Sequence, residues 1–420
     1  MKKPVSLLII GAGGRGKGYA AFAQEHPARV KISGVAEPRA DYRQYMVDTY
    51  HLPSEHVFDD WKAAAEKPQF ADAVIISTQD AMHVEPAMAF AERGYAILLE
   101  KPMAPNEEDC MKIVEAVKRH GTLFAVCHVM RYTQYTQAFK KLIDSGAIGE
   151  IVSLQHLEPV GYWHQAHSFV RGNWRNEKES SFMLLAKSCH DLDWIRYIVD
   201  RACLSVSSFG NLKHFRKEEM PAGASDRCLT CQVEANCPYS GKKIYLKMVE
   251  NGYTFWPVDV LAFNPSLETI TEALRTGPYG RCVYACDNDV VDHQVVNMLF
   301  QGGGTATFTM TAFTEQSHRK TRVFGTRGEL CGDGVEIVQY DFLTDEKKTI
   351  NTAAMDGSIL GGHGGGDYGL MDRFIQAVAE GKQDIVLSGP DESLETHRMV
   401  FAAERARKEH RVVDLVKAVR

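Results

Sequence analysis

The chain has 420 residues, of which 45% are hydrophobic and 24% charged, and carries a net charge of −6. That balance gives no electrostatic reason to seek nucleic acid or a membrane as partner. No run approaches the roughly 18 apolar residues of a membrane helix, and the length suits two domains better than one core. Ten cysteines are a modest number at this length. Cys110, Cys127 and Cys189 fall in apolar patterns and read as buried thiols, which fits a reducing cytoplasm.

The opening "MKKPVSLLIIGAGGRGKG" poses a choice between a secretory leader and a first β-strand. A leader needs a longer apolar stretch and a small-residue cleavage site. Gly11, Gly13 and Gly16 instead space as G-x-G-x-x-G directly after a β-branched run, with Gly14 and Arg15 inside the loop. The first glycine permits a tight turn, the second lets a pyrophosphate approach, and the third lets the next helix pack on the strand. The helix over Lys17 to His26 would present free N–H groups and a positive dipole end to the phosphates. "VKISGVAEP" reads as the second strand and ends in Glu37, where a carboxylate binds a ribose hydroxyl and repels a 2′-phosphate. That favours NAD; Arg39, two residues on, leaves NADP open.

"ADAVIIST", "AILLEKP" and "TLFAVCH" continue the strands, with helices "EPAMAFAERG" and "NEEDCMKIVEAVKRHG" between them. Asn106 and the acids behind it form an N-terminal cap. This rhythm predicts an α/β, doubly wound parallel sheet closing near His128. Thr78 and His83, after the fourth strand, should lie near the cofactor. Beyond His128 come a helix "QYTQAFKKLIDSG", a strand "EIVSLQHLEPV", a loop over 161–181 and an amphipathic helix "LLAKSCHDLDWIRYIV". The alternating runs from 203 to 342 predict a mainly antiparallel sheet. The stretch of about 213–265 is poorly patterned and reads as a loop-like insertion. Two helices, "DYGLMDRFIQAVAEG" and "ESLETHRMVFAAERARKE", follow.

Several residue sets point to chemistry. "LLEKP" puts Glu100 and Lys101 at a strand's C-terminal end, where α/β sheets bind ligands. A lysine there would relay the proton that leaves an alcohol during hydride removal; the plainer reading is a surface ion pair. In "KSCHDLDW", Lys187, His190 and Asp193 at i, i+3 and i+6 share one helical face, and a histidine exchanges protons near neutral pH. "GYWHQAHSFVRGNWRNE" offers Trp163, His164, His167, Arg171 and Trp174 as a sugar-pocket wall or as anchors of a long loop. Arg131 follows the last parallel strand and would face the same cleft. His363 sits in a glycine-rich loop suited to close approach. Asp292 and His293 stand at a strand start. Cys228, Cys231 and Cys237 space as C-x2-C-x5-C, which suits a structural zinc with Cys282, Cys286 or a histidine as fourth ligand. Free thiols, a local disulfide and an iron–sulfur cluster are the alternatives.

"GAGGRG", "EKP" after an apolar strand, "HVMRY", "GAIGEIVSL" and an H-x-x-D helix occur here in the order in which they recur in the Gfo/Idh/MocA family. That family includes glucose–fructose oxidoreductase and inositol dehydrogenase, and the chain resembles it over most of its length. The resemblance implies a Rossmann domain over 1–128 and an α/β domain with a large, open, mainly antiparallel sheet over 129–420. It implies an NAD(P)-dependent enzyme moving hydride to or from a sugar, cyclitol or polyol, with Lys101 catalytic and His190 in an acid/base or substrate-holding role. It further implies homodimers or homotetramers. Some relatives are glycosidases that oxidise a sugar only transiently, and a non-catalytic NAD sensor on the same fold is a third reading. One departure stands out. Many relatives carry an acid four residues before the histidine; this chain has Ala186, with Lys187 beside it as a candidate substrate contact.

Overall fold

A computed structural model describes residues 3–352, 358, 359 and 361–415. The apolar run Val5–Ile10 forms strand β1, buried along its whole length. It is flanked by β2 (Val30–Ala36) and β4 (Ala73–Ile76), with β3 (Val57–Phe58), β5 (Ala96–Leu99) and β6 (Phe124–Val126) completing the sheet. The strand order is β3-β2-β1-β4-β5-β6, and every neighbouring pair is parallel. Unbroken apolar strands of this kind need cover on both faces. Helices Val84–Glu92 and Glu107–Arg119 pack on one side. On the other, the helix Gly14–Glu25 meets Gly366–Glu380, which returns from near the chain's end. The predicted cap at Asn106 forms: its side chain accepts from the Asp109 N–H at 2.9 Å.

The second sheet is built on β7 (Ile151–Pro159). It adds β8 (Cys203–Asn211), β9 (His293–Phe300), β10 (Thr305–Thr311), β11 (Lys320–Gly325), β12 (Gly328–Gly332), β13 (Glu336–Asp341), β14 (Glu346–Asn351) and β15 (Val413–Asp414). The order is β14-β13-β12-β11-β7-β10-β9-β8-β15. β7 and β10 run parallel, and the other neighbours are antiparallel. Period-two alternation gives the sheet one buried face. Val296, Met298, Phe300, Phe308 and Met310 point inward, against the helices Cys189–Val199 and Pro390–Glu409. Val152, Phe209 and Leu299 stay exposed on the opposite face.

Three elements depart from the expectations. The stretch after Gly161 is not a loop: Tyr162–His164 is helical and runs into a π-helix over Gln165–Arg171. The amphipathic run 184–199 is two helices, Met183–Ala186 and Cys189–Val199, broken at Lys187–Ser188. The insertion extends to the start of β9 and has its own core. Phe215, Tyr239, Tyr245, Val258, Ile270 and Leu274 cluster against Ala166 and Val170 of the π-helix. Its helix Leu267–Thr276 opens on a Ser266–Thr269 capping box. Strand alternation is a poor guide where aromatic rings from short turns build the core.

Candidate active site

At the C-terminal edge of the parallel sheet, Gly11 adopts φ +84°, and a side chain there would strike the Ser77 carbonyl. A Cβ on Gly16 would enter the carbonyl of Gly11, whereas one on Gly14 would meet nothing. The first and third glycines are therefore fixed by packing, while Gly14 between them faces open space and Gly13 faces the Arg39 guanidinium, 3.5 Å from where a Cβ would sit, which leaves room for a pyrophosphate cradle. This crevice lies where the strand order reverses between β1 and β4. Glu37 ends β2, buried, and accepts from the Ala12 N–H at 2.7 Å and from Arg39 Nε at 2.7 Å and Nη2 at 2.9 Å. Burial alone would raise its carboxyl; the hydrogen bonds from Arg39 and Ala12 outweigh that and hold it below the usual carboxylate range. With two of its nitrogens on Glu37 and its plane over Tyr42, Arg39 is turned toward the carboxylate. The residues fit a dinucleotide.

Arg15 reaches away from the cradle. It bonds Glu100 at 2.6 Å and Asp367 at 2.7 and 3.0 Å, and touches Tyr19. Arg15 and Glu100, expected at the cofactor, thus brace the loop against the β5 edge and the glycine-rich segment. His83, also expected there, is buried and spans the main-chain oxygens of Pro102 (2.8 Å) and Thr78 (3.2 Å). It pins the Glu-Lys-Pro turn to the Thr78 turn.

Lys101 projects from that turn, and its Nζ donates to the Ala186 carbonyl at 2.7 Å. Ala186 ends the short helix before the break, so the lysine binds a carbonyl that an unbroken helix would have used. His190 begins the next helix. Its Nε2 lies 3.3 Å from Arg319 Nη2. A guanidinium only donates, so Nε2 accepts and Nδ1 carries the hydrogen. That Nδ1 is buried and has no partner among the described residues. Burial, then the charge of Lys101, keeps the imidazole well below its usual pKa, with Arg319 and Lys187 adding to the effect. His190 is therefore neutral at physiological pH. Its Nδ1–H is placed to donate a hydrogen bond.

Lys187, at the helix break, lies 3.1 Å from Glu158. Burial depresses its ammonium; Glu158 opposes this and Arg319 adds to it. Arg319 sits 2.7 Å from both Glu158 and Asp191. His164 joins from the helical stretch after Gly161. Its Nδ1 is buried without a partner among the described residues, and its pKa is depressed by burial, then by Lys187, His167, Lys101 and Arg319. His363 has φ +50°, rare for a non-glycine residue. It bonds Asp367 at 3.0 Å, and its ring is 6.3 Å from that of His190. Lys101, Lys187 and Arg319 thus converge with three imidazoles against two carboxylates.

Other expected substrate contacts lie elsewhere. The break at Lys187–Ser188 turns the following helix, so Asp193 does not share a face with Lys187. It is fully buried and accepts from Arg131 Nε and Nη2, each at 2.7 Å, and from Thr396 at 3.0 Å. Arg131 and Asp193 form an interior clamp because each is the other's charge partner. Arg171 is also buried, donating to the main-chain oxygens of Arg281 (2.7 Å) and Tyr239 (2.8 Å) and to Cys228 Sγ (3.4 Å). It anchors the insertion, as does His167, stacked on Tyr279. Asp292 binds the N–H groups of Lys213 and His214. Cys228 Sγ also accepts from the Gly241 N–H. Among the described residues no three His, Cys, Asp or Glu side chains are placed to hold a metal, so the structure gives Cys228, Cys231 and Cys237 no zinc cage. Glu158, Asp191 and Arg319 went unpredicted. Asp191 stood in the quoted motif; Glu158 and Arg319 are far apart in sequence and carry no local signal.

Residues 5–128 match the model described as "Oxidoreductase family, NAD-binding Rossmann fold". Residues 140–415 match "Oxidoreductase family, C-terminal alpha/beta domain". The chain is 23% identical to the putative oxidoreductase YteT of Bacillus subtilis (strain 168) over 364 residues, covering 81% of this chain and 80% of that protein. It is 33% identical over 147 residues to 2,7-anhydro-N-acetylneuraminate hydratase of Escherichia coli (strain K12), covering 35% of this chain and 38% of that protein. A solved levoglucosan dehydrogenase in complex with NADH and levoglucosan superposes at TM-score 0.71 with 20% identity, covering 99% of this chain and 100% of that one.

Proposed function

The chain belongs to the Gfo/Idh/MocA oxidoreductase family, and from that premise we propose that it interconverts a ring hydroxyl and a carbonyl on a sugar, cyclitol or related polyol. The cofactor in this reading is NAD rather than NADP, since Glu37 is buried at the β2 edge and engages Arg39. The observation that carries the reading is the meeting of Lys101 with two imidazoles, His164 and His190, whose buried Nδ1 atoms have no partner among the described residues, beside the glycine cradle.

NAD held by the Gly11–Gly16 loop and Glu37 would supply the hydride acceptor for the carbinol carbon. The hydroxyl proton must leave as well: Lys101 Nζ takes it as the free amine in oxidation and returns it as the ammonium in reduction. His190 donates its Nδ1–H to the same oxygen and stabilises the charge that develops there, in a site where little water dilutes the effect. Lys187 and Arg319 orient the remaining hydroxyls, and their bonds to Glu158 and Asp191 hold them in place before substrate arrives. Arg15 and Asp367 fix the His363 segment against the cradle.

A second reading has one specific support. His363, paired to a carboxylate and close to His190, supplies the additional proton carrier that transient oxidation, elimination and water addition would need. The partial match to a hydratase agrees with it. A screen of sugars and cyclitols with NAD and NADP separates the two: net NADH formation supports the dehydrogenase, and conversion without NADH supports the transient scheme. The exposed outer face of the second sheet, with Val152, Phe209, Leu299 and a hollow of about 560 Å³, supports a homo-oligomer, to be checked by light scattering. All ten cysteines are free thiols, which supports a reducing compartment such as the cytoplasm.

A further inference from the structure

Trp256 belongs to the insertion, far in sequence from every residue of the site. Its backbone is anchored by the buried Val258, whose N–H bonds the Phe255 carbonyl at 2.8 Å. Trp256 is nevertheless 39% exposed as a residue. The ring lies 5.4 Å from Trp163, 5.0 Å edge-on to His164 and 5.4 Å edge-on to His167. His167 is locked by Tyr245 and Tyr279, so the aromatic group rests on a rigid base. His164 is, with His190, one of the two rings of the cluster whose buried Nδ1 has no partner among the described residues. Trp256 therefore stands one ring away from the cations of the site.

A tryptophan anchored by its backbone, held by three rings and still open on one side is a surface prepared for a flat apolar partner. A pyranose or cyclitol ring has such a face in its C–H bonds, with hydroxyls around the rim for Lys187, Arg319 and His190. The same segment also touches the first domain. Phe263 packs on Tyr42 at 5.0 Å, with Lys17 over both rings.

We propose that the insertion is the specificity element of this enzyme and that Trp256, with Trp163, forms the wall on which the substrate's ring stacks. The proposal rests on the sugar reading of the Lys101–His190 centre. Its test uses the full NAD-loaded chain and myo-inositol, levoglucosan and N-acetylneuraminate as probes, with tryptophan emission and NADH formation followed together. At least one probe should quench emission and form NADH. Trp256→Ala should raise its KM about tenfold with kcat little changed, and Trp256→Phe should restore most of the loss. NADH formation with KM unmoved in Trp256→Ala overturns the proposal and spares the functional reading. Quenching that Trp256→Ala abolishes, without turnover, spares the proposal and sinks that reading. Neither signal from any probe sinks both.

Discussion

One helix, Cys189–Val199, carries two buried charged clusters of opposite character. Toward the interior, Asp193 accepts from Arg131 and Thr396, with the buried His128 imidazole 3.7 Å away. Toward the cleft, His190 keeps a buried N–H without a partner, and His164 an unpartnered nitrogen beside it. Both clusters are buried and both perturb their pKa values. Burial raises the Asp193 carboxyl, and Arg131 outweighs it; burial and Lys101 lower the His190 imidazole. Buried charge therefore does not separate structure from function here. Nor does an orphaned polar atom by itself, although it costs about 1–3 kcal/mol: His128 Nδ1 and Nε2 and Arg171 Nη1 are also buried without partners among the described residues, and what sets His190 and His164 apart is that their orphaned atoms lie in the cluster with Lys101.

The comparison can be broken at either end. The largest effect is expected on the open side. Lys101→Met should lower turnover about 10³-fold while NADH binding, read by fluorescence, stays intact; unchanged turnover removes Lys101 from the chemistry. On the closed side, Asp193→Ala strands Arg131 in the interior and should cost about 3–5 kcal/mol of stability in denaturant unfolding. The KM of the folded fraction should hold, and a KM shift would mean that the clamp reaches substrate. A smaller effect sharpens the role of Arg319. Removing a cation beside His190 lessens the penalty on its protonated form, so Arg319→Gln should raise that imidazole's pKa. The acid limb of kcat/KM then moves to higher pH, and an unmoved limb separates Arg319 from His190.

The smallest effect is on acid stability. Burial lowers His128 and His167 to about 3 and His397 to about 4. In the unfolded chain each takes up a proton near pH 6.5, while the folded chain does not until far lower. Protonation thus favours unfolding as pH falls below about 6.5, and above that these groups add no slope. The thermal midpoint should be flat above neutrality and decline between about pH 6.5 and 4. A flat midpoint there would mean these rings are protonated in the folded state.

The first domain was legible because its signals are local. The glycine spacing, the apolar strands and the Asn106 cap each reside in a few adjacent residues, and the structure returns them within a residue or two. The lysine of "EKP" was legible for the same reason, with the resemblance to weigh it. The second half of the site was not. A two-residue break at Lys187–Ser188 changes the helical phase, which moves Asp193 inward and brings Asp191 to the site; periodicity counted across the break must fail. Arg319 meets Glu158 where β7 pairs with β11 and from there reaches His190, both contacts between residues more than 120 positions apart. Arg171 looked like a pocket residue by composition and became an anchor because the insertion folded over it.

The most direct test of the central claim is a crystal structure of the chain with NADH. The account predicts density for the pyrophosphate over Gly13 and Gly14, with the nicotinamide beside Lys101 Nζ and open on the side of His190 and His164. A nicotinamide lodged elsewhere, or a lysine sealed away from it on the Ala186 carbonyl, would contradict the account.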